Sequence, residues 1–247
     1  MSGRVGSITT DIIADGLVFN TDAANRASTI PSTSTTKVYN TVDTSMEGTF
    51  QDNTQFTTSG SIKTWEFDGV DEWIDFGDVF DLGINDLTVG IWVKPENNSN
   101  YSYLFSKAKA AAQNYRFGFA FSNNDPPEVY SFMQGNGGSD IIPTTTSTFA
   151  FNNWYYLVCV WDRSSSIKIY VNGVDQSLSG TATISQWEGL NFQSSNPLRI
   201  GSYTASNNTS VIYPINGLIS TVHAYHRALS DSEILHNYNA LKGRFGL

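Results

Sequence analysis

The fold of this chain is decided by residues 154–175, which read WYYLVCVWDRSSSIKIYVNGVD. Two runs of β-branched and aromatic residues flank the polar segment 162–166, and this pattern predicts two strands joined by a short turn. Asn172-Gly173 predicts the next reversal, because this dipeptide favours tight hairpin turns. The first run, residues 155–161, is apolar on both faces. We therefore expect it near the centre of a sheet that is covered on both sides.

A second informative stretch, residues 215–235, reads INGLISTVHAYHRALSDSEIL. It predicts a strand that leads into a helix, since Ser230 can cap the helix and Glu233 completes a capping box. The apolar stripe expected on this helix consists of Ile234, Leu235, Tyr238 and Leu241.

The remaining pattern is a series of short strands separated by Gly, Asn and Ser turns, as in an antiparallel sandwich or jelly roll. Alternation of inward-facing and outward-facing side chains is clearest in residues 87–94 and in residues 115–121. Pro95 is expected to end the strand pairing of the first of these segments. Further strands are predicted at residues 17–20, 62–67, 73–76, 129–133, 167–171 and 198–200.

The net charge, the cysteine count and the distribution of apolar residues each argue against particular classes of protein. The net charge of −9 argues against duplex nucleic acid as a partner, because phosphate binding relies on clusters of Lys and Arg. Cys159 is the sole cysteine, so no intrachain disulfide can form, and a buried thiol is expected in its apolar strand. No apolar signal core or membrane-length run is present, which predicts synthesis in the cytoplasm and no membrane insertion.

Several pieces of the chain, in order, resemble the concanavalin A-like jelly rolls of the laminin G-like and pentraxin-like superfamily. They are GLVFNTDAAN, WEFDGVDEWIDFG, LTVGIWVKP, the hairpin at 154–175, LRIGSY and NGLISTVHAYHRALSDSEILHNYNA. The resemblance implies an all-β, two-sheet antiparallel jelly-roll sandwich with one short C-terminal helix. It places the domain at residues 15–241, between an N-terminal arm at 1–14 and a C-terminal tail at 242–247. The opening and the tail are similar to proteins of tailed bacteriophages and marine bacteria.

An enzyme is the remote alternative, as a β-glucan hydrolase. Laminarinase-type relatives carry two catalytic carboxylates in a Glu-x-Asp-x-x-Glu arrangement, and Glu66, Asp68 and Glu72 approach it with one residue too many. A retaining hydrolase needs its two carboxyl groups about 5 to 5.5 Å apart. The non-catalytic relatives have a similar acidic turn here, so we interpret it as structural and predict no catalytic residue. His223 and His226 point to opposite faces of their strand and do not suggest zinc.

Calcium is a second open question, since many relatives bind it. Acidic loops that could supply oxygen ligands contain Asp22 with Asn25, then Asp68, Asp71 and Glu72, then Asp75, Asp78 and Asp81. Relatives commonly have Asp where this chain has Ser220. We therefore interpret these loops as solvated and predict no cofactor and no metal residue.

Glycan binding is the commonest non-catalytic activity implied by the resemblance. Sugar faces stack on exposed aromatic rings, while Asn and Asp side chains hold hydroxyl groups. The candidate residues, which are aromatic and mostly fall off the main apolar stripes, are Trp92, Tyr101, Tyr103, Tyr130, Tyr170 and Trp187.

The favoured function is a surface or structural protein of a tailed-phage virion, as a capsid decoration or tail-fibre component with possible host-glycan adhesion. Its partners are then other virion proteins, copies of itself and a cell-surface glycan, and its location is the virion surface. Attachment is expected through residues 1–14, residues 242–247 or a sheet edge. The alternative is a bacterial carbohydrate-binding module with a lectin-like fold.

Overall fold

The computed structural model describes residues 12–30, 36–97, 100–110, 115–135, 138–207 and 210–247. Residues 1–11, the greater part of the predicted arm, lie outside the described residues. Two antiparallel sheets pack face to face, and the inward-facing side chains of both form one apolar core. This confirms the two-sheet jelly-roll sandwich that the sequence predicts. No helix in the described part of the chain is both long and apolar enough to cross a membrane.

The first sheet contains the segments with the strongest sequence signals. Its strand order is β14-β13-β12-β7-β19-β5-β4, and β1 pairs with the half of β19 that β5 leaves open. Its strands are β1 (Leu17–Asp22), β4 (Gln55–Ser59), β5 (Ile62–Asp68), β7 (Leu87–Asn97), β12 (Tyr155–Trp161), β13 (Ile167–Val171), β14 (Val174–Asp175) and β19 (Asn216–Tyr225).

The second sheet has the order β15-β11-β10-β9-β8-β16-β6-β3-β2. Its strands are β2 (Lys37–Tyr39), β3 (Glu47–Gln51), β6 (Trp73–Asp75), β8 (Ser102–Lys107), β9 (Arg116–Phe121), β10 (Glu128–Gln134), β11 (Thr144–Thr148), β15 (Leu178–Ser179) and β16 (Leu198–Ile200). A separate two-stranded ribbon pairs β17 (Tyr203–Thr204) with β18 (Val211–Ile212).

The hairpin of β12 and β13 forms as the sequence predicts. The turn to β14 is made by Asn172 and Gly173, both with positive φ, as a two-residue hairpin turn requires. Along β12, residues of one parity enter the core between the sheets, and Tyr156, Val158 and Val160 face the other way. The covering element on that side is a helix rather than a loop.

This helix, α1 (Asp231–Leu241), has the predicted capping box. Ser230 accepts the amide of Glu233, and Glu233 accepts the amide of Ser230 at 2.9 Å. The predicted stripe is correct for Ile234 and Leu241, which are buried, but wrong for Leu235, which is exposed. Asn237 takes its place as a buried residue. Its side chain bonds the Tyr225 hydroxyl and the Ile13 amide, so a polar contact replaces an apolar one.

The prediction that Pro95 ends strand pairing was wrong. Strand β7 continues through it to Asn97, and Pro95 lies opposite Gly217 of β19. The register shifts at this point, and Gly217 has a φ of +150° that brings its α-carbon close to the β7 backbone. The pairing advances by two residues on β7, from Pro95 to Asn97, and by one on β19, from Gly217 to Asn216. A bulge at Glu96, beside the proline, thus accommodates its missing amide hydrogen.

Candidate functional site: an aromatic groove on the open sheet

The two outer faces of the sandwich differ in what covers them. The outer face of the first sheet lies under α1 and the short 3-10 turn Lys242–Phe245. There the ring of Trp92 is fully buried, and Phe245 stacks on it with ring centres 3.9 Å apart and planes 6° apart. We call this side the covered face and the outer side of the second sheet the open face.

The open face carries a cluster of five tyrosines: Tyr101, Tyr103, Tyr130, Tyr203 and Tyr213. Strand register explains part of the cluster, because Tyr103 of β8 and Tyr130 of β10 both lie opposite Ala120 of β9. The small alanine between them leaves room for the two rings to meet edge to face, 6.0 Å apart. Such a cluster places several ring faces on one surface.

Two adjacent cavities lie along this cluster. The first, of about 330 Å³, is lined largely by polar side chains and is named here the amide pocket; its lining includes Asp68, Asn97, Asn100, Asn216 and Tyr101. The second, of about 420 Å³, is named here the tyrosine pocket; its lining includes Tyr101, Tyr103, Asn124, Glu128 and Tyr130. Tyr101 and Tyr213 line both cavities, so together the two form one groove.

Tyr213 stands in an uncommon backbone conformation. Its φ is +56°, in the left-handed region that side-chain-bearing residues seldom adopt. Its carbonyl accepts the amide of Tyr103 at 3.0 Å, and its ring stacks on Tyr103 at 5.9 Å with planes 19° apart. A residue keeps such a strained backbone conformation only where the surrounding structure holds it in place. Residues of this kind are frequent at ligand sites.

The hydroxyls of Tyr103 and Tyr130 remain protonated at neutral pH. Burial raises the pKa values of Tyr103 and Tyr130, and the two hydroxyls are hydrogen-bonded to each other. Behind them, Arg116 donates to both carboxylate oxygens of Asp140 and to the hydroxyl of Tyr203. Tyr103 and Tyr130 therefore carry neutral hydroxyls on a rigid support.

Three of the six predicted sugar-stacking residues come together in this groove. Tyr101 is the most accessible, with 37% of its surface exposed, Tyr103 is half-buried, and Tyr130 forms part of the floor. Tyr203 and Tyr213 were missed. The one sequence signal that could have pointed to Tyr213 is its position directly before Pro214, in a loop rich in Ser, Asn and Thr.

The other three predicted residues are corrected by the structure, because none has a free ring face. Trp92 lies beneath Phe245 on the covered face. Tyr170 is buried under α1 and donates its hydroxyl to Asp231 at 2.6 Å. Trp187 packs against Gly135 and Phe192, while its carbonyl accepts the buried guanidinium of Arg163.

The carboxylates considered for catalysis hold the turn between β5 and β6. Glu72 is buried and accepts the backbone amide of Asp68 at 2.6 Å. Burial, together with the nearby carboxylates of Asp68, Asp71 and Glu66, raises the pKa of Glu72 to about 7, although the amide bond opposes this rise. This arrangement agrees with a structural role for the acidic turn.

Two of the acidic loops considered for calcium surround a side-chain cation. The buried ammonium of Lys107 lies 3.1 Å from Asp78 and 3.4 Å from Asp81, and it also donates to the carbonyls of Val79 and Asn196. These oxygens, which could otherwise favour a hard metal ion, therefore already enclose a positive charge.

The second of these loops, which contains Asp22, contacts the side chain of Arg244 in the segment after α1. Its guanidinium bonds Asp22 at 2.8 Å, the hydroxyl of Ser220 at 2.6 Å and the carbonyl of Lys63 at 3.4 Å. Ser220 is the position where relatives commonly have Asp. Within the described residues, no group of three or more His, Cys, Asp or Glu side chains could hold a metal ion.

His223, in β19, and His226, directly after that strand, point to opposite sides of the sheet, as predicted. His223 is on the covered face, where its Nε2 lies 2.6 Å from the Tyr156 hydroxyl, and burial lowers its pKa to about 3. His226 packs against Phe80, a residue of the core between the sheets. Cys159 is buried and free.

A family model, Laminin_G_3 of the concanavalin A-like lectin/glucanases superfamily, matches residues 68–235. No curated protein matches the sequence.

Among solved structures, the binding domain of Paraclostridial Mosquitocidal Protein 1 is 16% identical with a TM-score of 0.66, over 92% of this chain and 52% of that one. The receptor-binding domain of botulinum neurotoxin C/D mosaic serotype is 12% identical, with a TM-score of 0.66 and the same coverage. A structure of botulinum neurotoxin type C, whose cell entry is described as dependent upon two ganglioside molecules, is 12% identical with a TM-score of 0.63, again over 92% and 52%. This chain spans about half the length of these solved chains, and likeness at such identities concerns the fold alone.

Proposed function

Because the chain belongs to the concanavalin A-like lectin/glucanases superfamily, we propose that it is a non-enzymatic, lectin-like module that binds a carbohydrate in the groove of the open face. The observation that carries this proposal is the pair of cavities joined by Tyr101 and Tyr213. The cavities have the size range of small-ligand sites and combine ring faces with a few polar groups.

The chemistry of the groove suits sugar recognition. Tyr101 and Tyr103 offer apolar surface to the C–H face of a sugar ring, while Asn97 and Asn216 offer amides that can donate to and accept from hydroxyl groups. The solved neighbours are described as binding or receptor-binding domains, and one is described as ganglioside-dependent. These descriptions support a binding role for a chain with the same fold.

A glycan array on the purified chain, followed by calorimetric titration of the best glycan, tests the proposal. We expect Tyr101→Ala to weaken binding about tenfold, which corresponds to about 1.4 kcal/mol of lost ring contact. Tyr39→Ala is the matched control, since Tyr39 is half-buried on β2 at the far edge of the same sheet. Absence of binding to any glycan, or equal losses in the two variants, contradicts the proposal.

We propose, second, that the module acts on the surface of a tailed-phage virion, made in the host cytoplasm and attached to other virion proteins or to copies of itself. The sequence resemblance to phage proteins supports this location. The domain limits of 15–241 guide the test, but the truncation should spare residues 12–14, because the Ile13 amide bonds Asn237 of α1.

Deletion of residues 2–11 is expected to leave the domain folded and to abolish its incorporation into particles. Mass spectrometry of purified particles measures incorporation, and circular dichroism of the free chain checks the fold. Unchanged incorporation removes the arm as the attachment point.

A further inference from the structure

The groove of the open face has one sign of charge. In the part of the chain that the structure describes, the ionisable acidic groups that line it are Asp68 in the amide pocket and Glu128 in the tyrosine pocket, and no Lys or Arg lines either cavity. The five internal segments outside the described residues contain no ionisable side chain in the sequence; they are 31–35, 98–99, 111–114, 136–137 and 208–209. No cation of these segments can therefore offset the two carboxylates.

Two cationic side chains near the open face, those of Arg116 and Arg199, are already engaged. Arg116 is held by both oxygens of Asp140, and Arg199 pairs with Asp75 at 3.1 Å while it also donates to the Ser210 carbonyl. A carboxylate or sulfate on a ligand would have to compete for these guanidinium groups with anions of the protein. Recognition of such ligands normally uses an available Arg or Lys.

The two acidic residues are held in place by their own neighbours. Asp68 accepts the Val70 amide at 2.8 Å, and its carbonyl accepts the Asn216 side chain at 3.0 Å. Glu128 accepts the Asn124 side chain at 2.9 Å. Both carboxylates therefore act as fixed acceptors for hydroxyl groups and repel other anions.

We infer that the groove selects an uncharged oligosaccharide, with one sugar unit in each pocket, and rejects sialylated, sulfated and uronic-acid glycans. This inference rests on the proposed function and specifies its substrate class. The two-unit length follows from the shared wall, because Tyr101 and Tyr213 contact both cavities and can each touch two neighbouring units. The acidic group in each pocket imposes the charge preference.

An array of matched series tests this inference, each series consisting of a neutral oligosaccharide, its sialylated form and its sulfated form. We expect neutral members to bind at least about tenfold more tightly than their charged partners. Equal or tighter binding of the charged members overturns the inference and leaves the proposed function intact. No binding by any member overturns both.

A charge-neutralised variant sharpens the result. Asp68→Asn with Glu128→Gln keeps one acceptor oxygen at each position and removes both negative charges, so the affinity for charged glycans should rise relative to the affinity for their neutral partners. The increase should shrink in high salt, which screens the repulsion at this accessible site. Asp52→Asn, on the turn after β3, is the matched control and should leave the ratio as in the parent. A double variant with an unchanged ratio contradicts the inference.

Discussion

The covered face and the open face of this sandwich are both rich in aromatic residues, yet only one of them remains accessible. On the covered face, Trp92 stacks on Tyr156 and on Phe245, which belongs to the turn after α1. On the open face, Tyr101 and Tyr103 border cavities instead. An aromatic residue on the outer side of a strand thus becomes core or accessible surface according to which element crosses it later in the chain.

The largest expected difference between the faces is in stability. Trp92→Ala should lower the free energy of unfolding by about 4 kcal/mol, because the indole is fully buried among rings. Tyr101→Ala should lower it by less than about 1 kcal/mol, since that side chain is partly exposed. Urea denaturation measures both. Leu235→Ala, at an exposed position of α1, is the control for the covered face, and equal losses for Trp92 and Tyr101 would refute the distinction.

The next largest effect on the free energy of unfolding concerns the ion pair that attaches the segment after α1 to Asp22. Arg244→Gln should cost about 3 kcal/mol, because it leaves the carboxylate of Asp22 buried without its cation. A double variant that adds Asp22→Asn should recover part of this loss, since no uncompensated charge remains. Lys168→Gln, which removes two exposed ion pairs, is the control and should cost under about 1 kcal/mol.

The two faces should also respond to pH in opposite directions. Burial lowers the pKa of His223 on the covered face from 6.5 to about 3, so its contribution to stability is complete above pH 6.5 and is lost as pH falls towards 3. Burial raises the pKa of Glu72, in the turn beside the open face, from 4.5 to about 7. Its contribution is complete below pH 4.5 and is lost as pH rises through 7.

Urea denaturation between pH 4.5 and 8 separates these contributions, each of which amounts to about 1 to 3 kcal/mol. His223→Gln should reduce the loss of stability on acidification. Glu72→Gln should increase that loss, because it removes the opposing contribution. Identical pH profiles for the two variants would contradict the assignment.

The smallest expected effect is that of calcium. Lys107 and Arg244 already occupy two of the acidic clusters, so millimolar calcium should shift the melting temperature by less than about 1 °C. Magnesium at equal ionic strength is the control for screening. A rise of several degrees with calcium alone would show that a metal site exists.

Much of the fold could be predicted because strand alternation and turn residues are local signals. The hairpin at Asn172-Gly173 and the capping box of Ser230 and Glu233 depend on residues close in sequence, and both form as predicted. The path through Pro95 could not be predicted, because it depends on pairing with Gly217, more than a hundred residues away.

The candidate site was less predictable for the same reason. Sequence parity placed Trp92 and Tyr103 on outer faces but carried no information about coverage, which depends on distant contacts such as that of Phe245 with Trp92. Tyr213 joins the groove through a left-handed backbone conformation and a contact with Tyr103. Neither feature leaves a periodic pattern in the sequence.

The pairing of β1 with β19 has a mechanical consequence. Leu17, at the start of β1, lies opposite Tyr225, at the end of β19. A tensile force applied through the residues before β1 and after β19 therefore opens this pair from one end, one hydrogen bond after another, once α1 and the Arg244 contact give way. A domain loaded across both ends should thus yield at low force.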